Sequence, residues 1–530
     1  MIRNVDNQNG IILPGVLSAI LAFLILSGAV LVTIENNLGL VNRNVQSQQA
    51  FNIAEAGANY YLWHLSHNGA DFKDGQSTPS TPDVNLGYGP YVHNYIDDNG
   101  KNTGTYTLWI KPDSAGSTIA TVRSIGQVKN TNVKRTVEAR IGAASFASYG
   151  LASDSAFWFG NTETADGPVH SNQGILMDGA SNSDVTSSNS TYTVPNGLAP
   201  SSYWGTSKPG VWCQTSVTTP VNCNTRSKTS WRYPVPLVDF NQVSGSLCNI
   251  KKQAFAADSS TSSLATLSNA CSQVPTTRTS AYLPQRSTSG TYSAVKGYLI
   301  ELNSNGTYNL SQVNGENDQA SSYSTALTLV SLASNVSPPS SGVIFAEDNV
   351  WVRTNPDFHG RITIGAGRLA SSTVSANITI ADDLVYSTKN GSDVIGLIAE
   401  NNVTLEPYAI PQTGNFTFEL DAAIIAQSGS VMYPSTYTTN TNLCTKGWVG
   451  NNQLLNFYGS IATRQTWTWT WTSNSSCNNM VYASSINQYI GGVLNNTTKY
   501  DYNLLYSPPP SFPITTTYNV LSWREVLTTP

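Results

Sequence analysis

Apolar and polar positions alternate in three rhythms along this chain. From Ile11 to Ile34 runs IILPGVLSAILAFLILSGAVLVTI, about 24 residues without a charge, which is long enough as a helix to cross a bilayer. The following stretch, SQQAFNIAEAGANYYLWHL (47–65), switches to helical spacing. Phe51, Ala54, Tyr61 and Leu65 form one line and Ile53, Ala56, Tyr60 and His64 a neighbouring one, with Glu55 and Gly57 among them. The two stretches predict one long helix, apolar over 11–34 and amphipathic over 35–66. Gly57 costs such a helix roughly 1 kcal/mol, a cost that close packing offsets. The helix face has two candidate partners: the chain's own head sheet, or another subunit.

Beyond a loop-like stretch at 68–99 the period becomes two. GTYTLWI (104–110), STIATVRSIG (117–126) and VKRTVEARIG (133–142) predict a small antiparallel sheet, with Tyr106, Leu108 and Ile110 on its buried face. Together with the helix they define a head over 67–142. From there short apolar runs punctuated by Gly, Asn or Asp recur without helical spacing: GVIFAEDNVWV (342–352), GRITIGAG (360–367), ANITIADDLVYS (376–387), SDVIGLIAENNVTLE (392–406), FTFELDAAIIAQSGSVM (416–432) and LLNFYGSIA (454–462). Such runs stack as rungs of an irregular parallel β-solenoid, with a β-sandwich as the second reading. The expected fold is therefore mainly β, with a body beginning at 143–197 and continuing over 339–530 to a carboxyl-terminal cap. A Ser/Thr-rich insertion at 198–338 carries a short helix near 255–274 and is the most exposed part. Trp523 in LSWRE is expected to close the last rung.

Charge narrows the function classes. Only 11% of residues are charged, with 27 Lys plus Arg against 32 Asp plus Glu, and no basic block exists to bind nucleic acid. Arg3 before the apolar span, partly offset by Asp6, places the large carboxyl part outside the membrane. A cleaved export signal fits less well, since Ser27, Gly28 and Ala29 only loosely imitate an exit site. Clipping between Gly10 and Ile11 would leave the apolar helix on the mature chain, with Pro14 in its first turn, where a missing N–H is tolerated.

Six cysteines form three sequence-local couples, Cys213 with Cys223, Cys248 with Cys271, and Cys444 with Cys477. Six allow fifteen pairings, but these close modest loops, as disulfides outside the cytoplasm do. No Cys or His spacing suits zinc, and no metal or cofactor is expected. Asp382, Asp383 and Asp421 raise glycan cleavage, because clustered carboxylates serve as acid and base. Their simpler role, shared with Asn349, Asn401 and Asn402, is to accept backbone N–H groups at turns. His170 and His359 stand beside glycine-containing turns and suit structural hydrogen bonds. Trp467, Trp469 and Trp471 alternate with threonines in RQTWTWTWTSN, so on one strand they present three rings in line, either to a sugar or protein surface or to the core. No nucleophile elbow, phosphate loop or HExxH pattern occurs.

The amino end resembles type IV pilin-like proteins, especially minor pilins of the PilX type. The resemblance rests on a short polar leader ending in Gly10, the apolar helix half, and the phrase Ala54-Glu55-Ala56-Gly57, over roughly residues 8–66. Gly15 stands where major pilins usually carry Glu. FGNTETADGPVHSNQGI (159–175), ANITIADDLVY, DVIGLIAENNV, ELDAAIIAQSGSV and YDYNLLYSPPPSFP (500–513) are similar to the large extracytoplasmic regions of PilX-like pilus assembly proteins. The resemblance implies a non-enzymatic structural or adhesive component, inserted once in a bacterial membrane. Its partners would be the membrane, other pilin-like subunits, and surface glycans or proteins. The alternative is a membrane-tethered glycan-binding or glycan-cleaving solenoid.

Overall fold

The computed structural model describes residues 12–67, 71–76, 81–113, 119–160, 163–198, 200–214, 230–257, 271–286, 296–316, 327–371, 373–406, 416–434, 438–439, 442–443, 447–448, 453–465, 467–474, 480–484, 487–515 and 518–527. It divides into a head, residues 1–111, 121–141 and 520–530, and a body, 112–120 and 142–519.

In the head, helix α1 (Ile12–His67) is one uninterrupted element of 56 residues. Strands β1 (Tyr88–Ile96), β2 (Asn102–Pro112), β3 (Ile119–Val128) and β4 (Lys134–Gly142) lie side by side in that order. Tyr106, Leu108 and Ile110 point inward as their alternation requires. Strand β1 falls where a loop was expected. Its inward positions include Tyr91, while the aliphatic Val92 and Ile96 are exposed, so its apolar rhythm reads inverted. β1 pairs antiparallel with β2.

The fifth strand of this sheet is the last of the chain. Asn519–Val526 pairs beside β4, so the expected cap of the body is instead the outer strand of the head. Trp523 closes no rung; its ring meets Phe51 of α1 edge-on, with centroids 5.7 Å apart. Residues 142–519 of the body are thus inserted between two adjacent head strands.

That insertion imposes a topological demand on the body: its two ends must lie together. A simple solenoid would separate them by its full length. Here the main sheet resolves the conflict by permutation. Its rungs run, in spatial order, Trp231–Arg232, Val185–Ser187, Val169–Ser171, Leu151–Ser153, Gln453–Thr463, Phe416–Ala426, Val394–Ala399, Arg361–Ala366, Val343–Ala346 and Tyr282–Leu283. The chain enters mid-stack at Leu151, proceeds to one end, crosses to the other, and returns to finish beside its own entry. All these pairings are parallel. Entry and exit are then tied directly, Phe146 N donating to Pro513 O at 2.9 Å and Thr515 N to Ala144 O at 2.8 Å.

Side chains keep one register across the discontinuity. Ile344, Ile364, Leu397, Ile424, Ile461, Leu151, Val169 and Val185 form a continuous buried row. A hydroxyl ladder runs beside it. Thr463 donates to Gly429 O, Ser153 to Gln465 O, Ser171 to Ser155 O and Ser187 to Gln173 O. Each hydroxyl bonds the turn of the preceding rung, including the step from Thr463 to Ser153 where the chain is not continuous.

A second sheet supplies the other side of many rungs, with Tyr298, Val350, Ile378, Val403, Val431 and Trp467 in parallel register. Asparagines occupy turns between the two sheets. Asn349 Oδ1 accepts Asn377 N at 3.0 Å, Asn377 Oδ1 accepts Asn402 N at 3.1 Å, and Asn402 Oδ1 accepts Ser430 N at 2.8 Å. Buried turn amides are satisfied in this way rung after rung.

The expected insertion contributes structure to the body. Gly297–Asn303, Tyr308–Glu316 and Leu327–Val336 extend the second sheet. Helix α2 (Gln242–Ala256) lies earlier than the helix expected at 255–274, of which 258–270 fall outside the described residues. α2 covers the outer face of the main sheet. A side chain at Gly365 would meet Ile250 and Leu247 of α2 at 3.3 and 3.5 Å. A prolyl strap covers the neighbouring row: Arg361 donates to Gly391 O, Ser507 O and Pro508 O, and Thr363 to Pro510 O. Prolines suit this place because they bury carbonyls without adding N–H groups that need acceptors.

Candidate functional site

The head presents two surfaces of opposite character along one helix. Over its first half, α1 is bare on every side: Phe23 is 71% exposed and Ile25 65%, and none of its most apolar stretch is buried by the rest of the chain. Its hydroxyls are satisfied within the helix, Ser18 donating to Gly15 O, Ser27 to Phe23 O and Thr33 to Ala29 O at 2.6–2.9 Å. A helix that is apolar all round and internally hydrogen-bonded meets the requirements of a bilayer interior. Gly15, Gly28 and Gly39 face open space. The Gly10–Ile11 junction lies outside the described residues.

The second half packs on the head's own sheet. Ala50, Ile53, Ala54, Ala58, Tyr61 and Leu65 are buried, while Glu55 stays exposed and Phe51 and Ala56 are partly covered. Three glycines set the approach. A side chain on Gly57 would strike the Tyr106 ring, on Gly126 the backbone of Ala50 and Ala54, and on Gly104 the Ile53 side chain. Gly57 therefore permits contact within the chain at this height of the helix.

Two locks, neither of them legible in the sequence, hold α1 in place. At one end Arg135 pairs with Glu525, donates to Ser47 Oγ at 2.6 Å, and lies over the Phe51 ring at 5.5 Å. At the other, Asp71 and Asp74 fasten the chain that follows the helix. His64 Nε2 contacts Asp71 Oδ2 at 3.1 Å, His93 Nε2 contacts Asp74 Oδ2 at 2.7 Å, and Tyr60 donates to Asp74 Oδ1 at 3.2 Å. Burial, reinforced by Asp74, pushes the Tyr60 hydroxyl up to about 12, so it remains a donor.

In the body, the three tryptophans do not make one exposed face. Trp467 and Thr468 continue the second sheet, whereas Thr470–Ser473 pairs antiparallel with Gln488–Val493. Trp469, at the break, is 3% exposed. Trp467 is partly buried against Phe159, and Trp471 donates to Tyr433 O at 2.9 Å. The rings serve the packing of the last rungs.

The aspartates accept backbone amides, Asp383 from Glu419 within the strand Phe416–Ala426. Asp382 Oδ1 accepts Asp383 N at 3.0 Å, Asp383 Oδ1 accepts Glu419 N at 2.9 Å, and Asp421 accepts Tyr386 N at 3.0 Å and Lys389 Nζ at 2.7 Å. Burial raises all three carboxyls, Asp383 to about 6. A carboxyl raised in the folded state favours folding while protonated, and that advantage fades as pH rises from about 4 through 6. Asp383→Asn keeps an acceptor oxygen for Glu419 N and removes the penalised charge. It should stabilise the body at pH 8 by on the order of 1–2 kcal/mol, with the gain vanishing near pH 4. Thermal unfolding at both pH values measures this; a large loss at pH 8 would contradict the assignment of Asp383 as a backbone-amide acceptor.

His170 is buried, with Nδ1 3.0 Å from Thr186 Oγ1 and Nε2 3.0 Å from Asn172 Oδ1. Burial pushes its imidazole below the usual value. The ring of His359, 64% exposed, contacts Asp393 at 3.0 Å. Cys248 and Cys271 are bonded, with Cα atoms 5.1 Å apart. Cys213 is also disulfide-bonded, whereas Cys223, Cys444 and Cys477 lie outside the described residues. Among the described residues, no group of three or more His, Cys, Asp or Glu side chains is arranged to hold a metal ion.

No family model matches the chain, and no curated protein does. Among solved structures, the competence-associated pilin ComZ from Thermus thermophilus aligns at 13% identity over 91% of this chain and 98% of that one. The TM-score of 0.27 is too low to establish a shared fold.

Proposed function

We propose that the protein is a structural subunit of a type IV pilus-like or cell-surface assembly, of the PilX-like minor pilin kind. In this reading α1 roots the chain once in the membrane and the body carries adhesive or assembly contacts outside it. One observation carries the reading: a single helix is bare and apolar over half its length and built into its own antiparallel sheet over the other half. An exposed apolar helix of this length requires a lipid or protein environment. Other pilin-like subunits suit the same surface, since Gly15, Gly28 and Gly39 leave room for close approach.

We assign the body no reaction. Asp382, Asp383 and Asp421 are engaged with backbone amides, and His170 is held between Thr186 and Asn172. Purified full-length protein in detergent should release no sugars from surface polysaccharides. Turnover abolished by Asp383→Asn or Asp421→Asn would replace the structural reading with a glycan-cleaving one. Alkaline extraction of membranes should leave the protein in the pellet, and release into the supernatant would count against the anchor.

A further inference from the structure

The body holds one fully buried amine among its described residues, and it faces a fully buried carboxyl. Lys251 of α2 is 0% exposed and Glu347, at the turn after Val343–Ala346, is 1% exposed; Lys251 Nζ contacts Glu347 Oε1 directly. Lys251 Nζ also donates to Gln273 O, and the Tyr282 hydroxyl lies 3.1 Å from Pro275 O and 3.4 Å from Glu347 Oε1. Phe255 of α2, Tyr282 and Phe345, two residues before Glu347, pack ring to ring in the apolar core. Burial holds the Glu347 carboxyl above its ordinary range.

An ion pair taken fully out of water loses hydration that mutual attraction only partly restores. An amide forms from the neutral amine and the carboxylic acid, the arrangement that transfer of a proton from nitrogen to oxygen within such a pair would give. We propose that Lys251 and Glu347 condense to an intramolecular amide that staples α2 to the main sheet. Nζ attacks Cδ, and Oε1, beside the Tyr282 hydroxyl, becomes the amide carbonyl oxygen. The Cδ–Oε2 bond breaks, and Oε2 leaves as water with protons from the carboxyl and the amine. No oxidant, metal or second substrate enters the balance. Proximity supplies the advantage, because both reactants are held in place by the fold. The amide replaces two ionisable groups in the core by one neutral group. The Cys248–Cys271 disulfide also holds α2, through Cys248, so the helix would be cross-linked twice.

Intact mass of the full-length protein, purified in detergent, reduced and alkylated, tests the proposal. The expected result is a chain lighter by one water than the mass required by its sequence from its observed amino terminus. Digestion should yield a branched peptide joining the Lys251 and Glu347 segments, and Lys251→Arg should restore the full mass. A full-mass wild-type chain without the branched peptide would overturn the proposal, as would a water loss mapped elsewhere. Because the wild-type mass and its branched peptide suffice to decide, a folding defect in Lys251→Arg does not obscure the outcome.

Discussion

Gly126→Val should unfold the head. A side chain there would run into the carbonyl of Ala50 and the amide of Ala54, which are helix backbone and cannot turn aside. The helix must lift from the sheet, exposing Ala50, Ile53, Ala54 and Tyr61. Overpacking of this kind costs about 1–3 kcal/mol when neighbours can yield, and the expected loss lies at or above that range. Gly28→Ala provides the contrast: nothing lies within 4 Å of a side chain at that position, and alanine favours a helix by about 1 kcal/mol. Denaturant unfolding of the full chain in detergent, followed by near-ultraviolet circular dichroism, should show a large loss for Gly126→Val and none for Gly28→Ala. Equal behaviour of the two variants would refute the assigned packing.

Removal of residues 520–530 should produce the second large effect. The truncation strips the outer strand from β4, deprives Arg135 of Glu525, and uncovers the Phe51 ring. Loss of these contacts should destabilise the head by roughly 2–4 kcal/mol. The body's rungs include no residue beyond 519, and the ties between Ala144–Phe146 and Pro513–Thr515 remain. Limited proteolysis should therefore cleave the truncated chain first within residues 35–142, leaving a resistant fragment from about 143 onward. Simultaneous collapse of both parts would show that the final strand does not belong to the head alone.

These two expectations mark the boundary between what pattern reveals and what it hides. The apolar span and the amphipathic stretch after it read directly as one helix, because helical spacing is local. The runs at 342–462 read as stacked parallel strands for the same reason, each being apolar on both faces. Position in the sheets is another matter. Arg135 and Glu525 are 390 residues apart, and the strand that bears Glu525 carries Leu521 and Trp523 half exposed, so it shows no buried face to betray its partner. The permutation is hidden similarly: the ladder from Thr463 to Ser153 is built from common hydroxyls whose pairing depends on a crossover elsewhere. The tryptophan triplet misleads because alternation predicts one face only while the strand is unbroken, and the chain changes sheets at Trp469. Asp382, Asp383 and Asp421 share an acidic local pattern with catalytic carboxylates, and only their bonds to backbone amides distinguish the two uses.

The central claim is that the apolar helix stays on the mature protein and roots it in a membrane or filament. Intact-mass and amino-terminal peptide analysis of native protein, from separated membrane and sheared-filament fractions, tests this most directly. The account predicts a chain that retains residues 11–34, and a start at Ile11 in the filament fraction would add pilin-type processing to it. A chain that begins near Val30 would contradict the account by removing the anchor, whereas an uncut chain confined to membranes would keep the anchor and favour an envelope protein over a filament subunit.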